Sequence, residues 1–205
     1  MPDHYYTQTP TSAHKPGQVD FLWRGAKLVF ETDSGVFSRT EIDKGTEILL
    51  NALPEELTGS LLDMGCGYGV IGVTLGKRYP GLSVVMSDVN ERAVELSRRN
   101  AQRNGVPARV MQSDGYADVP FQRMDWIVQN PPIRAGKSVI YAMFAEGARR
   151  LEPSGELWLV IRKQQGAESA VRYLKTLFGR VEAVSKKGGF WVLRCTQPAE
   201  RPDEE

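Results

Sequence analysis

The sequence predicts an α/β domain, a doubly wound and mostly parallel sheet with helices on both faces, entered through an N-terminal β-hairpin and a short helix. Three observations predict it. After Pro54, short apolar runs alternate with amphipathic segments of helical period, the pattern of β-α-β crossovers. A glycine-rich turn, Gly65 to Gly69, sits at the first junction between such a run and its helix. Finally, 205 residues of which 41% are hydrophobic suffice to fill one compact core.

The elements follow in order. Residues 1–17 carry three prolines, several Thr and Ser, and no apolar period, and read as an arm that is flexible or lies on the surface. A single domain is expected over 18–196, with residues 18–54 forming the entry and 55–196 the core. Val19 to Trp23 and Lys27 to Glu31 flank an Arg24-Gly25 turn and read as a hairpin, followed by a turn at Asp33-Ser34-Gly35. Ser38 and Glu41 have capping-box spacing, and Ile42, Leu49, Leu50 and Leu53 continue it as a short helix ending before Pro54. Core strands are expected at Ser60 to Met64, Ser83 to Ser87, Arg109 to Gln112, Asp125 to Gln129 and Glu156 to Ile161. Helices are expected at Val70 to Tyr79, Asn90 to Asn104 and Val139 to Leu151. A helix from Gly166 to Phe178 then leads to Val181 to Val184 and Phe190 to Cys195, joined so tightly that the two strands must be antiparallel. Trp23, Trp126, Trp158 and Trp191 all fall in strand patterns and are assigned to packing. Residues 197–205 form a polar, acidic tail.

Composition excludes several classes of function. Twenty-six Lys and Arg against 25 Asp and Glu give a net charge of +1, so any nucleic-acid site must be a local patch. Cys66 and Cys195 match no zinc spacing and are too few for a disulfide framework, which points to a reducing compartment, the cytoplasm. No apolar run reaches the ~18 to 20 residues of a membrane span, and the first residues lack the order of a signal peptide. His4 and His14 lie in the arm and receive no catalytic role.

Chemistry concentrates at the strand ends. Asp63 precedes Gly65, Cys66, Gly67 and Gly69, where a side chain would block a ligand from the backbone. Gly67 to Gly72 also satisfies the dinucleotide fingerprint, so a nicotinamide enzyme is a rival reading. Against it, Asp88 ends the second strand and Asp114 the third, which brings three carboxylates to the crevice where open α/β sheets bind ligands. Asp88, next to Val89 and Asn90, can accept from both hydroxyls of a ribose. Asp114, next to Gly115, can accept from an adenine amino group, and Asp63 can order the turn and face a cationic ligand end. Cys66 is read as a small turn residue without thiol chemistry. The fourth strand runs into Asn130-Pro131-Pro132-Ile133, a rigid turn rich in acceptors. The Asn130 side-chain carbonyl and the Pro131 backbone carbonyl can grip the hydrogens of a planar NH2 and aim its lone pair at an electrophile.

Together these residues resemble a class I S-adenosylmethionine-dependent methyltransferase. Gly35 to Ser38, Asp43 to Thr46 and Asn130 to Lys137 are similar, more narrowly, to the small-domain methyltransferases and the catalytic half of bacterial 16S ribosomal RNA guanine-N2 methyltransferases. The resemblance implies a seven-stranded sheet of order 3-2-1-4-5-7-6 with the last strand antiparallel. It also implies S-adenosylmethionine as cofactor, S-adenosylhomocysteine as product, no metal, and catalysis at Asn130, Pro131, Pro132 and Ile133. Thr46 and the Phe37 region would close over the methionine end. The implied partner is ribosomal RNA or an assembling small ribosomal subunit, with Arg134 and Lys137 on its phosphates and Arg162, Lys163, Lys186 and Lys187 nearby. No membrane partner is implied, and the oligomeric state stays open. Ile133 departs from the family, which often places a base-stacking aromatic there, and stacking is worth ~1 to 3 kcal/mol. It leaves protein glutamine-N5 methylation open beside guanine N2. The ribosomal enzymes also carry a second, degenerate domain copy, for which this chain has no room. A non-catalytic RNA-binding module would keep the fold but lack an intact cofactor site.

Overall fold

The computed structural model describes residues 8–120 and 122–199. Expectations for His4, for the rest of residues 1–7 and for 200–205 lie outside the described residues. Among the described residues, nine strands and five α-helices follow one another: β1 Gly17–Trp23, β2 Ala26–Thr32, α1 Lys44–Ala52, β3 Ser60–Met64, α2 Val70–Arg78, β4 Ser83–Asp88, α3 Glu91–Arg103, β5 Ala108–Gln112, β6 Met124–Gln129, α4 Lys137–Arg149, β7 Leu151–Arg162, α5 Ala167–Leu174, β8 Phe178–Lys187 and β9 Phe190–Pro198. β1 and β2 form a separate antiparallel hairpin, and the other seven strands form one sheet of order β5-β4-β3-β6-β7-β9-β8. Among the described strands of this sheet, β9 runs against the direction of the other six. Counted from β3, this is the order 3-2-1-4-5-7-6.

Alternation along each strand builds two cores. Leu61, Val128, Trp158, Val160 and Val192 face α1, α2, α3 and the hairpin, while Leu62, Ile127, Leu157, Leu159 and Leu193 face α4 and α5. Gly72 on α2 has no room for a side chain, because a Cβ there would stand 2.6 Å from the Met86 sulfur. This glycine brings α2 close against the sheet.

The hairpin packs by its β2 side. Phe30 meets Tyr68 edge to face at 5.9 Å. The outer backbone edge of β2 is met by asparagine amides from α3. Asn100 accepts from Glu31 N at 2.7 Å and donates to Glu31 O at 3.0 Å, and Asn104 accepts from Val29 N at 3.1 Å and donates to Val29 O at 2.9 Å. Two side chains thus supply the pattern that a third strand would otherwise provide.

Several boundaries differ from expectation. α1 starts at Lys44 with Asp43 as its cap, its carboxylate accepting from Thr46 N at 2.9 Å. Ser38 instead closes a turn by donating to Glu41 O. α4 stops at Arg149, and Leu151, which continued the helical period, opens β7. β7 begins five residues before Glu156, because Gly155, where a Cβ would meet Met124 O at 2.7 Å, lets the strand bend past β6. α5 ends at Leu174, and Phe178 belongs to β8. β9 runs on to Pro198, so Gln197 and Pro198 are sheet residues rather than tail.

Residues 8–16 lie on the surface, and polar contacts tether them. Asp33, buried, accepts from Lys15 N and pairs with His14, while Arg92 donates to Ser12 and Pro10. Among the described residues no helix is long and apolar enough to cross a membrane.

Candidate active site

The C-terminal ends of β3, β4, β5 and β6 open into a cleft of about 980 Å³, the place where open parallel sheets bind their ligands. At its floor the β3-α2 turn is held by hydrogen bonds from both sides. Ser87 O accepts from Gly65 N at 2.8 Å and from Cys66 N at 2.9 Å, and Asp88 accepts from Gly67 N at 2.8 Å and Asn90 N at 2.9 Å. Gly65 and Gly67 have φ of 73° and 56°, and a Cβ on either would point into open space. That bare backbone is a cradle into which a ligand can settle without meeting a side chain. Burial pushes the Asp88 carboxyl up to about 6, while its bonds to Asn90 N and Gly67 N oppose the shift.

Asp63 serves the turn from behind. Fully buried, it accepts from Gly72 N at 2.8 Å with one oxygen, and its other oxygen has no partner among the described residues. Burial, with Asp88 nearby, pushes it up to about 7. It orders the helix start, as expected, but does not line the cleft. Cys66 is buried, with its sulfur near Gly67 O and Ser97 Oγ, and burial beside Asp88 and Asp63 pushes the thiol well up. It is a turn residue without thiolate character.

The Asn130 turn is tied to α1. Asn130 Nδ2 donates to Asp43 Oδ2 at 3.0 Å and to Thr46 Oγ1 at 2.9 Å. A carboxylate can only accept, so the amide nitrogen must face α1, and the side-chain carbonyl remains as the group available to a substrate donor. Pro131 is buried and Pro132 half-buried, and both line the cleft beside Asn130. The arrangement can grip a planar NH2 from two fixed acceptors.

Most of the expected residues converge. Thr46, Gly65, Cys66, Gly67, Asp88 and Val89 line the cleft, as do Asp114, Gly115, Phe37 and the Asn130-Pro131-Pro132 turn. The remainder do not. Gly69 caps α2 with φ of 92°, and Asn90, buried, caps α3 by accepting from Ala93 N while donating to Gly35 O. Ile133 packs half-buried on the core shared with α4 and α5, because the single 3-10 turn after Pro132 carries it away from the cleft. The cleft's exposed apolar side chains are Phe37 and Val139 instead. Arg134 and Lys137 are exposed beside the cleft rather than in its lining.

Sequence reasoning missed Asp43 as the residue that orients Asn130, although Asp43 and Thr46 stand three apart at a helix start, which is a cap signal. It also missed the α4 wall. Arg150, mostly buried, donates to Glu146 and to the carbonyls of Tyr116, Val119 and Pro120, fixing the loop after Asp114. Among the described residues no group of three or more His, Cys, Asp or Glu could hold a metal ion.

Comparison with known proteins gives the family. The Bacillus subtilis protein YbxB, itself called uncharacterized, is 44% identical over 198 residues, which cover 95% of this chain and 98% of that protein. The ribosomal RNA small subunit methyltransferase C of Hahella chejuensis is 42% identical over 170 residues, covering 77% of this chain and 49% of that protein. A solved T. thermophilus 16S rRNA N2 methyltransferase, in complex with AdoMet and guanosine, superposes with a TM-score of 0.81 at 27% identity, covering 92% of this chain and 52% of that one. The chain therefore spans about half the length of the ribosomal RNA methyltransferases it matches. The profile of the methyltransferase small domain matches residues 27–194, from β2 into β9. On the strength of that match, which takes in six strands of the seven-stranded sheet whole and the first part of β9, the chain belongs to the methyltransferase small domain family.

Proposed function

We propose that this protein is an S-adenosylmethionine-dependent N-methyltransferase acting on the exocyclic N2 amine of guanine in ribosomal RNA. The observation that carries the reading is the lock on Asn130. Both hydrogens of its amide are taken by Asp43 and Thr46, which leaves the carbonyl beside Pro131 as a fixed acceptor. The cofactor assignment rests on the cradle over Gly65 and Gly67 and on Asp88, whose carboxylate borders the cleft with lone pairs to spare for ribose hydroxyls.

S-adenosylmethionine, bound there, supplies an electrophilic methyl group. The chain's part is to hold and orient. Asp88 and the bare turn fix the nucleoside, and Asp114 and Gly115 border the place for the base. Asn130 and the Pro131 carbonyl accept the two amine hydrogens and direct the nitrogen lone pair along the line of transfer. Their dipoles favour the positive charge that develops on that nitrogen. The released proton passes to water. Phe37, 39% exposed and on the cleft, offers the aromatic face that Ile133 lacks. Arg134, Lys137, Arg162, Lys163, Lys186 and Lys187 are all exposed and take part in no ion pair among the described residues, which suits them to phosphates. The test is incubation with labelled S-adenosylmethionine and undermethylated 16S ribosomal RNA, followed by nucleoside mass analysis. N2-methylguanosine is expected from the wild type. Asn130→Ala should lower turnover on the order of 10²- to 10³-fold at nearly unchanged S-adenosylhomocysteine affinity. Label in a protein glutamine, or wild-type turnover by Asn130→Ala, would refute the assignment.

A further inference from the structure

We propose that residues 8–15 form a strap over the nucleoside end of the cleft, with Gln8 a contact for bound cofactor and Arg92 the positioning residue that holds the strap closed. The inference rests on the cofactor reading above and adds a part of the chain that the fold itself does not require. Residues 8–15 belong to no helix or strand, and they lie ahead of the region matched by the family profile.

Three observations converge. First, Gln8 lines the cleft together with Asp88 and Val89, although it stands 80 residues before Asp88 in sequence. Its carbonyl accepts from Glu91 N at 3.0 Å, the first N–H of α3 and three residues past Asp88. The strap therefore reaches the ribose edge by capping the helix that Asp88 introduces. Second, Arg92 on that same turn of α3 holds the strap and the Asp33–Phe37 loop together. Its guanidinium donates to Ser34 O at 2.8 Å, Ser12 O at 3.0 Å, Ser34 Oγ at 3.1 Å and Ser12 Oγ at 3.2 Å. The planar fork suits this convergence of acceptors better than a point charge would. Third, the strap is seated closely. A Cβ on Gly35 would lie 3.0 Å from Ser12 Oγ and 3.1 Å from Pro10 Cβ, and the Gly35 carbonyl is held by Asn90 Nδ2 at 2.9 Å.

The strap is thus pinned to two elements that border the cleft, the start of α3 and the loop that carries Phe37. Its ties are polar and near the surface, so it can open without melting either core. Opening admits ligand, and a contact from Gln8 to the bound nucleoside adds the differential affinity that favours closure. Such a strap slows cofactor release and leaves the chemical step unchanged.

The experiment uses the full chain and S-adenosylhomocysteine. Calorimetry should show dissociation constants raised about tenfold for Arg92→Ala and about threefold for Gln8→Ala, with Arg92→Lys recovering part of the loss. KM for S-adenosylmethionine should rise with them while kcat at saturation stays at the wild-type value. Hydrogen exchange in residues 8–15 should slow when S-adenosylhomocysteine binds the wild type and change less in Arg92→Ala. Thermal melting of the variants checks that the cores are intact. Unchanged affinity in both Ala variants, or exchange in residues 8–15 that ignores the ligand, overturns the strap alone. A wild-type protein that binds no S-adenosylhomocysteine overturns the cofactor reading and the strap with it.

Discussion

Asp43 does two jobs with one carboxylate oxygen, and a pair of substitutions separates them. Oδ2 accepts from Thr46 N at 2.9 Å, which caps α1, and from Asn130 Nδ2 at 3.0 Å, which orients the proposed catalytic amide. Asp43→Ala removes both. Loss of the cap costs about 1 kcal/mol, which in a chain of this size lowers the melting temperature by about 2 to 4 °C. Loss of the charge-assisted bond to Asn130 removes about 1.5 to 3 kcal/mol of orientation. At 1.36 kcal/mol per tenfold, kcat should fall about 10- to 100-fold if that preference is fully needed at the transition state. Asp43→Asn still caps, because asparagine is as good a cap as aspartate, but its neutral oxygen holds Asn130 less firmly. Its melting temperature should match wild type while kcat falls about fivefold, the share of the bond that the charge supplied. The assay is single-turnover methyl transfer at saturating S-adenosylmethionine, run well below both melting temperatures, with calorimetry confirming unchanged cofactor affinity. If Asp43→Ala loses stability and keeps its full rate, and Asp43→Ala combined with Thr46→Val does so too, the lock on the Asn130 amide has no catalytic meaning.

Asp88→Ala should abolish calorimetric binding of S-adenosylhomocysteine in a protein that still folds, since one carboxylate both braces Gly67 and faces the cleft; an unchanged dissociation constant would remove it from the ribose site. The double variant Arg134→Ala, Lys137→Ala should weaken RNA binding and flatten the salt slope by about two, without touching cofactor affinity, and titration of binding against salt decides it. Asp63 rises from 3.8 to about 7 on folding, so the folded state holds its proton more tightly than the unfolded chain. Its contribution to stability is therefore full below pH 3.8 and is lost as pH rises toward 7. Asp63→Asn should flatten that part of the stability curve; urea titrations at pH 5 and pH 8 that show the same wild-type-to-variant difference would contradict the raised carboxyl.

The parallel core was legible because its central strands are buried on both faces and so read as short continuous apolar runs between amphipathic segments. Leu61 and Leu62, Ile127 and Val128, and Trp158 and Leu159 each split between the two cores, so both members of each pair are apolar and the run stands out in the sequence. The cleft was legible for a related reason: glycines and carboxylates recur at strand ends, and strand ends of a parallel sheet share an edge. What could not be read depended on contacts between distant residues. Ser38 and Glu41 have the right spacing for a capping box, but α1 begins where it docks on β7 and β9, and there Asp43 is the cap. Ile133 follows the prolines directly, yet the sense of one 3-10 turn decides whether it meets substrate or core. The arm looked unanchored because its anchors, Asp33 and Arg92, are loop and helix residues whose sequence neighbours say nothing of it. Asp63 was placed among the ligand contacts because sequence gives no depth, and the structure puts it one layer below the surface of the turn.

The two asparagines that α3 brings against β2 bear on strand pairing between molecules. A lone hairpin normally offers an outer row of peptide groups on which another chain can template itself, the first step toward runaway assembly. Here Asn100 and Asn104 occupy that row at Val29 and Glu31, and hydrophobic residues there would leave the same peptide groups unpaired. The outer strands of the large sheet are guarded by other means. β5 is only five residues long, and β8 is broken by an irregularity between Ala183 and Ser185 and carries Arg180, Glu182, Lys186 and Lys187. Strand addition is discouraged at all three places, the outer edge of the hairpin's β2 and both edges of the large sheet.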